Sequence, residues 1–186
     1  MLKIIGIIVV ILVVAVVALL AYAATKPDTF TVKRAATIKA PPEKIFALIN
    51  DYRNWPQWSP WETRDPDMKR TYSGAADGKG AKYAWEGNRN VGSGEMEIID
   101  TAPPNKIIIK LDFFKPFKAN NIAEFTLEPN GAATDVTWAM QGPVPYIGKI
   151  MHLIINCDKM VGNDFATGLA SMKAVAEGQA AQSSAA

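Results

Sequence analysis

The chain has 186 residues, about half of them apolar, with one cysteine, one histidine and a formal net charge of +2. That length suits one domain with additions at its ends, and a single cysteine excludes an intrachain disulfide framework or a cysteine-based zinc site. Leaving out Lys3 and Lys26, 18 basic residues balance 18 acidic ones, and no basic run is interleaved with aromatics. Nucleic acid is therefore not an expected partner.

Residues 4–25 carry no charge and are dominated by Ile, Val, Leu and Ala, which is long enough to cross a bilayer core of about 30 Å. A cleaved signal peptide is the competing reading, since Ala21-Tyr22-Ala23 has the A-x-A form. The apolar part of such a signal typically runs about 7–15 residues, shorter than this stretch. The expectation is a retained single-pass anchor over residues 1–25 and a short linker over 26–28. Lys3 lies before the span, and Lys26, Lys33, Arg34 and Lys39 lie after it with Asp28 among them. The expected orientation is a short cytoplasmic head with the domain on the extracytoplasmic side.

Beyond the linker, Phe30, Val32, Ala36 and Ile38 alternate with polar or small residues, which predicts a strand with one buried face that Arg34 interrupts. Pro41-Pro42 opens a short helix through Asn50 that would bury Ile45, Phe46 and Ile49. The stretch Asp51 to Trp61 then packs three of the five tryptophans into seven residues, punctuated by Pro56 and Pro60. Its prolines argue against a regular helix or a central strand. Two readings of this loop stay open: an aromatic plug for the core, or the rim and gate of a site for an apolar ligand.

Plain alternation follows. Ala81, Tyr83 and Trp85 share one face, as do Met96 and Ile98, then Ile107, Ile109, Leu111 and Phe113. Ala123, Phe125 and Leu127 continue the pattern, and Val136, Trp138 and Met140 complete it. Half-buried strands with short connections predict an antiparallel sheet with one solvated face. The last run, Tyr146 to Glu177, places Ile147, Ile150, Ile154, Val161, Phe165, Leu169, Met172 and Ala176 on one stripe at 3.6 residues per turn. It predicts one long helix of roughly 45 Å, with Cys157 as a small buried hydrophobe on its stripe. The layout is α+β. The tail 178–186 is expected to be disordered.

Several of these stretches carry a resemblance. They are Trp55-Pro-Gln-Trp-Ser-Pro-Trp61, Gly92-Ser-Gly-Glu-Met-Glu-Ile98, Phe114-Lys-Pro-Phe117, Thr134-Asp-Val-Thr-Trp138 followed by Gly142, and Val161-Gly-Asn-Asp-Phe-Ala-Thr-Gly-Leu169. Over residues 29–177 they resemble the START-like polyketide cyclase/dehydrase (SRPBCC) superfamily. The resemblance implies a helix-grip fold, in which a curved antiparallel sheet wraps the long C-terminal helix around an apolar cavity. It also implies binding of lipids, sterols, polyketides or other hydrophobic molecules, with only some members enzymes. The N-terminal transmembrane helix lies outside it.

No catalytic constellation is found. His152, the only histidine, falls on the helix face opposite the stripe, and a site needing several His or Cys ligands is excluded on numbers. No cofactor is expected. The expected cavity lining is Trp85, Met96, Leu111, Phe113, Trp138, Met140, Val161 and Phe165. Asp158 and Arg34 stand as either a boundary ion pair or polar anchors inside the cavity. Trp55, Trp58 and Trp61 are expected at the mouth, at least one of them partly exposed. The expected partners are a membrane and a hydrophobic small molecule or lipid, bound by a carrier domain. The alternatives are a cyclase/aromatase-type enzyme and a structural module whose core is filled by its own side chains.

Overall fold

The computed structural model describes residues 2–154 and 157–178, without the side chains of Leu2, His152, Ile154 and Cys157. The expectations for His152, Cys157 and the tail from 179 to 186 lie outside the described residues. Strands β1 (Thr29–Ile38), β2 (Lys69–Gly74), β3 (Ala81–Glu86), β4 (Ser93–Ala102), β5 (Lys106–Lys115), β6 (Ala119–Asn130) and β7 (Ala133–Pro143) form one antiparallel sheet. Its order is β1-β7-β6-β5-β4-β3-β2, a meander whose first strand returns beside the last. Alternation makes one face of each strand apolar, and Ile98, Ile107, Ile109, Phe125, Leu127 and Val136 are wholly buried on it. Register shifts in β4 between Ser93 and Gly94, and between Ile98 and Asp100, bend the sheet into a concave surface.

Ahead of the sheet, helix α1 (Leu2–Ala24) is exposed along nearly its whole length. Its residues 3–24 are long and apolar enough to cross a membrane or to serve as a signal sequence. Helix α2 (Pro42–Asn50) starts on two prolines and buries Ile45, Phe46 and Ile49 against the sheet. The tryptophan stretch that follows contains a 3-10 helix, Tyr52–Gln57, with Pro56 inside it. A 3-10 turn is short enough to accept the missing donor that would break an α-helix.

The C-terminal run, read in the sequence as one helix, is helical as α3 (Tyr146–Ile154) and α4 (Cys157–Ala176), on either side of residues 155–156, which lie outside the described residues. Only α4 lies in the grip of the sheet, where Phe165, Leu169, Met172 and Ala176 are buried. Helix α3 instead packs on α1, and the Tyr146 hydroxyl donates to the Leu20 carbonyl at 2.7 Å. Its Lys149 is drawn inward to an ion pair with Asp28 at 2.6 Å, while Ile147 is 70% exposed. The apolar stripe therefore meets two partners, helix α1 along α3 and the sheet along α4. Strand β2 was not legible as a strand: it is an edge of mixed polar residues, only Arg70 and Tyr72 of which are even half-buried.

Candidate functional site

Sheet and helix do not meet everywhere. Between the concave face and α4 lies a cavity of about 570 Å³, within the roughly 300–1,000 Å³ typical of small-molecule sites. Its walls are built strand by strand. Trp85 and Met96 come from β3 and β4, Leu111 and Phe113 from β5, Trp138 and Met140 from β7, and Val161 and Phe165 from α4. Trp85 lies so close over Gly94 that a Cβ there would sit 2.5 Å from its ring, and the Trp85 indole N–H donates to the Val91 carbonyl at 3.1 Å. A bare glycine opposite a tryptophan is what lets this wall lie flat.

The floor is aromatic. Trp138 stacks on Phe165 with centroids 4.1 Å apart and on Phe125 at 4.8 Å. The edges of Trp58 and Trp61 meet Trp138 at 5.6 Å each. Trp55 and Trp58 are buried, and their N–H groups donate to the carbonyls of Ile49 and Leu48 at 3.0 and 2.9 Å. These are carbonyls at the end of α2 that the helix itself leaves unpaired. Trp61 is half-buried and lines the cavity.

One polar group interrupts the apolar wall. Glu62 is buried, accepts from the Tyr83 hydroxyl at 2.7 Å and pairs with Arg70 Nε at 2.6 Å. Burial first, and then the bond to Glu62, push the Tyr83 phenol well above its ordinary range, so it stays a donor. Ser59, also buried, lines the same wall. Sequence reasoning missed this group, since Glu62 reads as one more loop carboxylate until the chain brings Arg70 and Tyr83 to it. At the mouth, Arg64 pairs with Asp164 of α4, and Arg89 and Lys115 stand on the hairpins joining β3 to β4 and β5 to β6.

Arg34 and Asp158 lie outside the cavity lining. They pair with each other at 3.1 Å, with Arg34 also donating to the Asp158 carbonyl at 3.0 Å. The guanidinium lies across Gly162, where a Cβ would sit 1.9 Å from it, so the glycine lets β1 and α4 approach. Their mutual hydrogen bonds hold the carboxyl below its ordinary range and the guanidinium above its own. They pair at the boundary between β1 and α4. Trp58 is likewise outside the lining, and Trp55 meets the cavity from the buried side rather than at its mouth. Among the described residues no group of three or more His, Cys, Asp or Glu is placed to hold a metal ion.

Residues 29–177 match the family model described as polyketide cyclase/dehydrase and lipid transport. The chain belongs to that family. Members of this polyketide cyclase/dehydrase family generally bind hydrophobic ligands. No curated protein matches the chain in sequence. Among solved structures it is similar to a Staphylococcus aureus protein of unknown function, at 15% identity and TM-score 0.61, covering 81% of this chain and 94% of that one. It is similar also to a Chromobacterium violaceum protein, at 17% identity and TM-score 0.56, covering 82% of this chain and 99% of that one. Major latex-like protein 151 from Panax ginseng matches at 10% identity and TM-score 0.58, covering 81% and 99%. At such identities these likenesses speak for the fold alone.

Proposed function

We propose that the protein is a membrane-anchored binding or carrier domain for a lipid-like or other hydrophobic small molecule. The observation that carries the reading is the apolar cavity of about 570 Å³ between the sheet and α4. Ligand sites of this class pair a large apolar wall with a few convergent polar groups. The Glu62–Tyr83 pair and the Ser59 hydroxyl supply those, as partners for a ligand hydroxyl or carbonyl. Helix α1 keeps the domain at the membrane that holds such ligands, with the domain on the extracytoplasmic side.

Native mass spectrometry after mild extraction from the source cell tests the reading. The expected result is a co-purifying hydrophobic molecule that a neutral fluorescent probe such as N-phenyl-1-naphthylamine displaces. A protein that carries nothing and takes up no neutral probe would sink it. A second reading, a cyclase-type enzyme, draws on the same Glu62–Tyr83 pair, a carboxylate and a phenol at the wall of a cavity that would fold a reactive chain. Turnover of a polyketide-like substrate that Glu62→Gln abolishes would favour it; turnover indifferent to that change would not.

A further inference from the structure

The cavity mouth and the anchor share one end of the sheet. The register places Thr29 opposite Pro143, Phe113 opposite Ala119, and Ser93 opposite both Glu86 and Lys115. The start of β1 and the β3–β4 and β5–β6 hairpins therefore lie at the same edge. Four residues separate Ala24, the last of α1, from Thr29. Fully extended they reach at most about 14 Å, so α1 holds this edge close to whatever α1 is embedded in. Three strand spacings separate β1 from β5, which puts the β5–β6 hairpin about 15 Å across the same edge.

That hairpin is the wrong composition for open water. In Phe114-Lys115-Pro116-Phe117-Lys118, Phe117 is 70% exposed and Phe114 48%, each beside a lysine that is also exposed. Arg89, on the neighbouring hairpin, adds a third exposed cation, and Met160 at the start of α4 adds 57% exposed apolar surface beside the mouth. Exposed aromatics flanked by lysines match a membrane–water interface, where rings enter the headgroup layer and ammonium groups meet lipid phosphates. The tryptophan loop, by contrast, spends the indole N–H groups of Trp55 and Trp58 on the end of α2.

We propose that the β5–β6 hairpin, residues 114–118, is a second membrane contact that seats the cavity mouth against the bilayer anchoring α1. A lipid-like ligand then passes between bilayer and cavity without crossing water. The proposal rests on the reading of α1 as a retained span and of the cavity as a ligand site.

The test uses the full chain in vesicles of phosphatidylcholine with phosphatidylglycerol, after alkaline carbonate extraction has shown that α1 stays inserted. In a Cys157→Ser background, an environment-sensitive dye is placed at Phe117→Cys, or at Ala132→Cys in the exposed β6–β7 turn at the opposite end. Doxyl-labelled lipids should quench the dye at position 117 several-fold more than at 132. Equal quenching at both positions would overturn the proposal. So would a dye at 117 that is shielded but untouched by doxyl lipids, because a second copy or another protein would then cover the hairpin. Loss of the protein on carbonate extraction removes the anchor and the proposal with it.

A kinetic arm separates this idea from the cavity reading. Phe117→Ser with Lys118→Gln, neither of which lines the cavity, should slow uptake of N-phenyl-1-naphthylamine from vesicles about tenfold and leave its equilibrium affinity in detergent unchanged. Unchanged uptake refutes the hairpin's role while the cavity stands. If wild-type protein binds no probe at all, the cavity reading fails, and the quenching result alone decides the hairpin.

Discussion

Whether the cavity is empty space in solution can be read from two leucine-sized truncations on one strand. Ile107 and Leu111 lie four residues apart on the same face of β5, but Ile107 is wholly buried while Leu111 is half-buried and faces the cavity. Each change to Ala removes three carbons. At Ile107 their transfer costs about 2.5 kcal/mol, and the new void raises the total to about 4 kcal/mol. At Leu111 the void already exists and part of the side chain has no protein partner, so the cost is about 1–1.5 kcal/mol. For a domain of this size, a difference of about 2.5 kcal/mol separates the two melting temperatures by about 5–10 °C. Thermal melting of the delipidated full chain in mild detergent measures it, and probe titration should show altered affinity for Leu111→Ala alone. Equal losses of melting temperature would mean that side chains fill the space, and the carrier reading would lose its main support.

Glu62→Gln takes the charge away from Arg70 in a buried setting, and a urea titration should show a loss of about 3 kcal/mol, the lower end for breaking such a pair because Arg70 keeps a path to water. A loss under about 0.5 kcal/mol would show that the pair is solvated. Glu177 is held below the ordinary carboxylate range by a hydrogen bond from Lys173, at 2.6 Å, and another from the Lys39 N–H, at 2.7 Å. A lowered folded-state value means that its stabilisation is complete above the unfolded value of about 4.3 and disappears as pH falls through the folded one. The melting-temperature gap between wild type and Glu177→Gln should accordingly be constant at neutral pH and close below about pH 4; a gap that persists in acid would refute the linkage.

Much of this fold can be read from period-two alternation, because β3 to β7 each bury one face and show it. Strand β2 shows no such face, since its inward positions are Arg70 and Tyr72, only half-buried, and the rest are exposed. The six apolar lining positions on the sheet, Trp85 and Trp138 among them, follow from the same alternation, and Val161 and Phe165 follow from the 3.6-residue period of α4. The tryptophan loop was not legible. That two indoles cap the carbonyls at the end of α2 depends on the chain reversing after Asn50, which no local pattern encodes. Glu62 was hidden likewise, its partners lying 8 and 21 residues away. That the C-terminal stripe meets α1 along α3 and the sheet along α4 was hidden too, since a periodicity count sees only one side of each contact.

The place of β1 beside β7 governs the order in which the protein can be made. Ninety-four residues separate the end of β1 from the start of β7. At about 5–20 residues per second, synthesis of that stretch takes on the order of 5–20 s. Through that interval β1 has left the ribosome just behind α1 and has no strand to pair with. The meander from β2 to β6 forms meanwhile with an open edge waiting at β6. A nascent chain cut short between β6 and β7 exposes two unpaired strand edges, β1 and β6. Quality control of this protein is thus a matter of its last third, since completion of β7 and α4 is what turns an adhesive fragment into a closed domain.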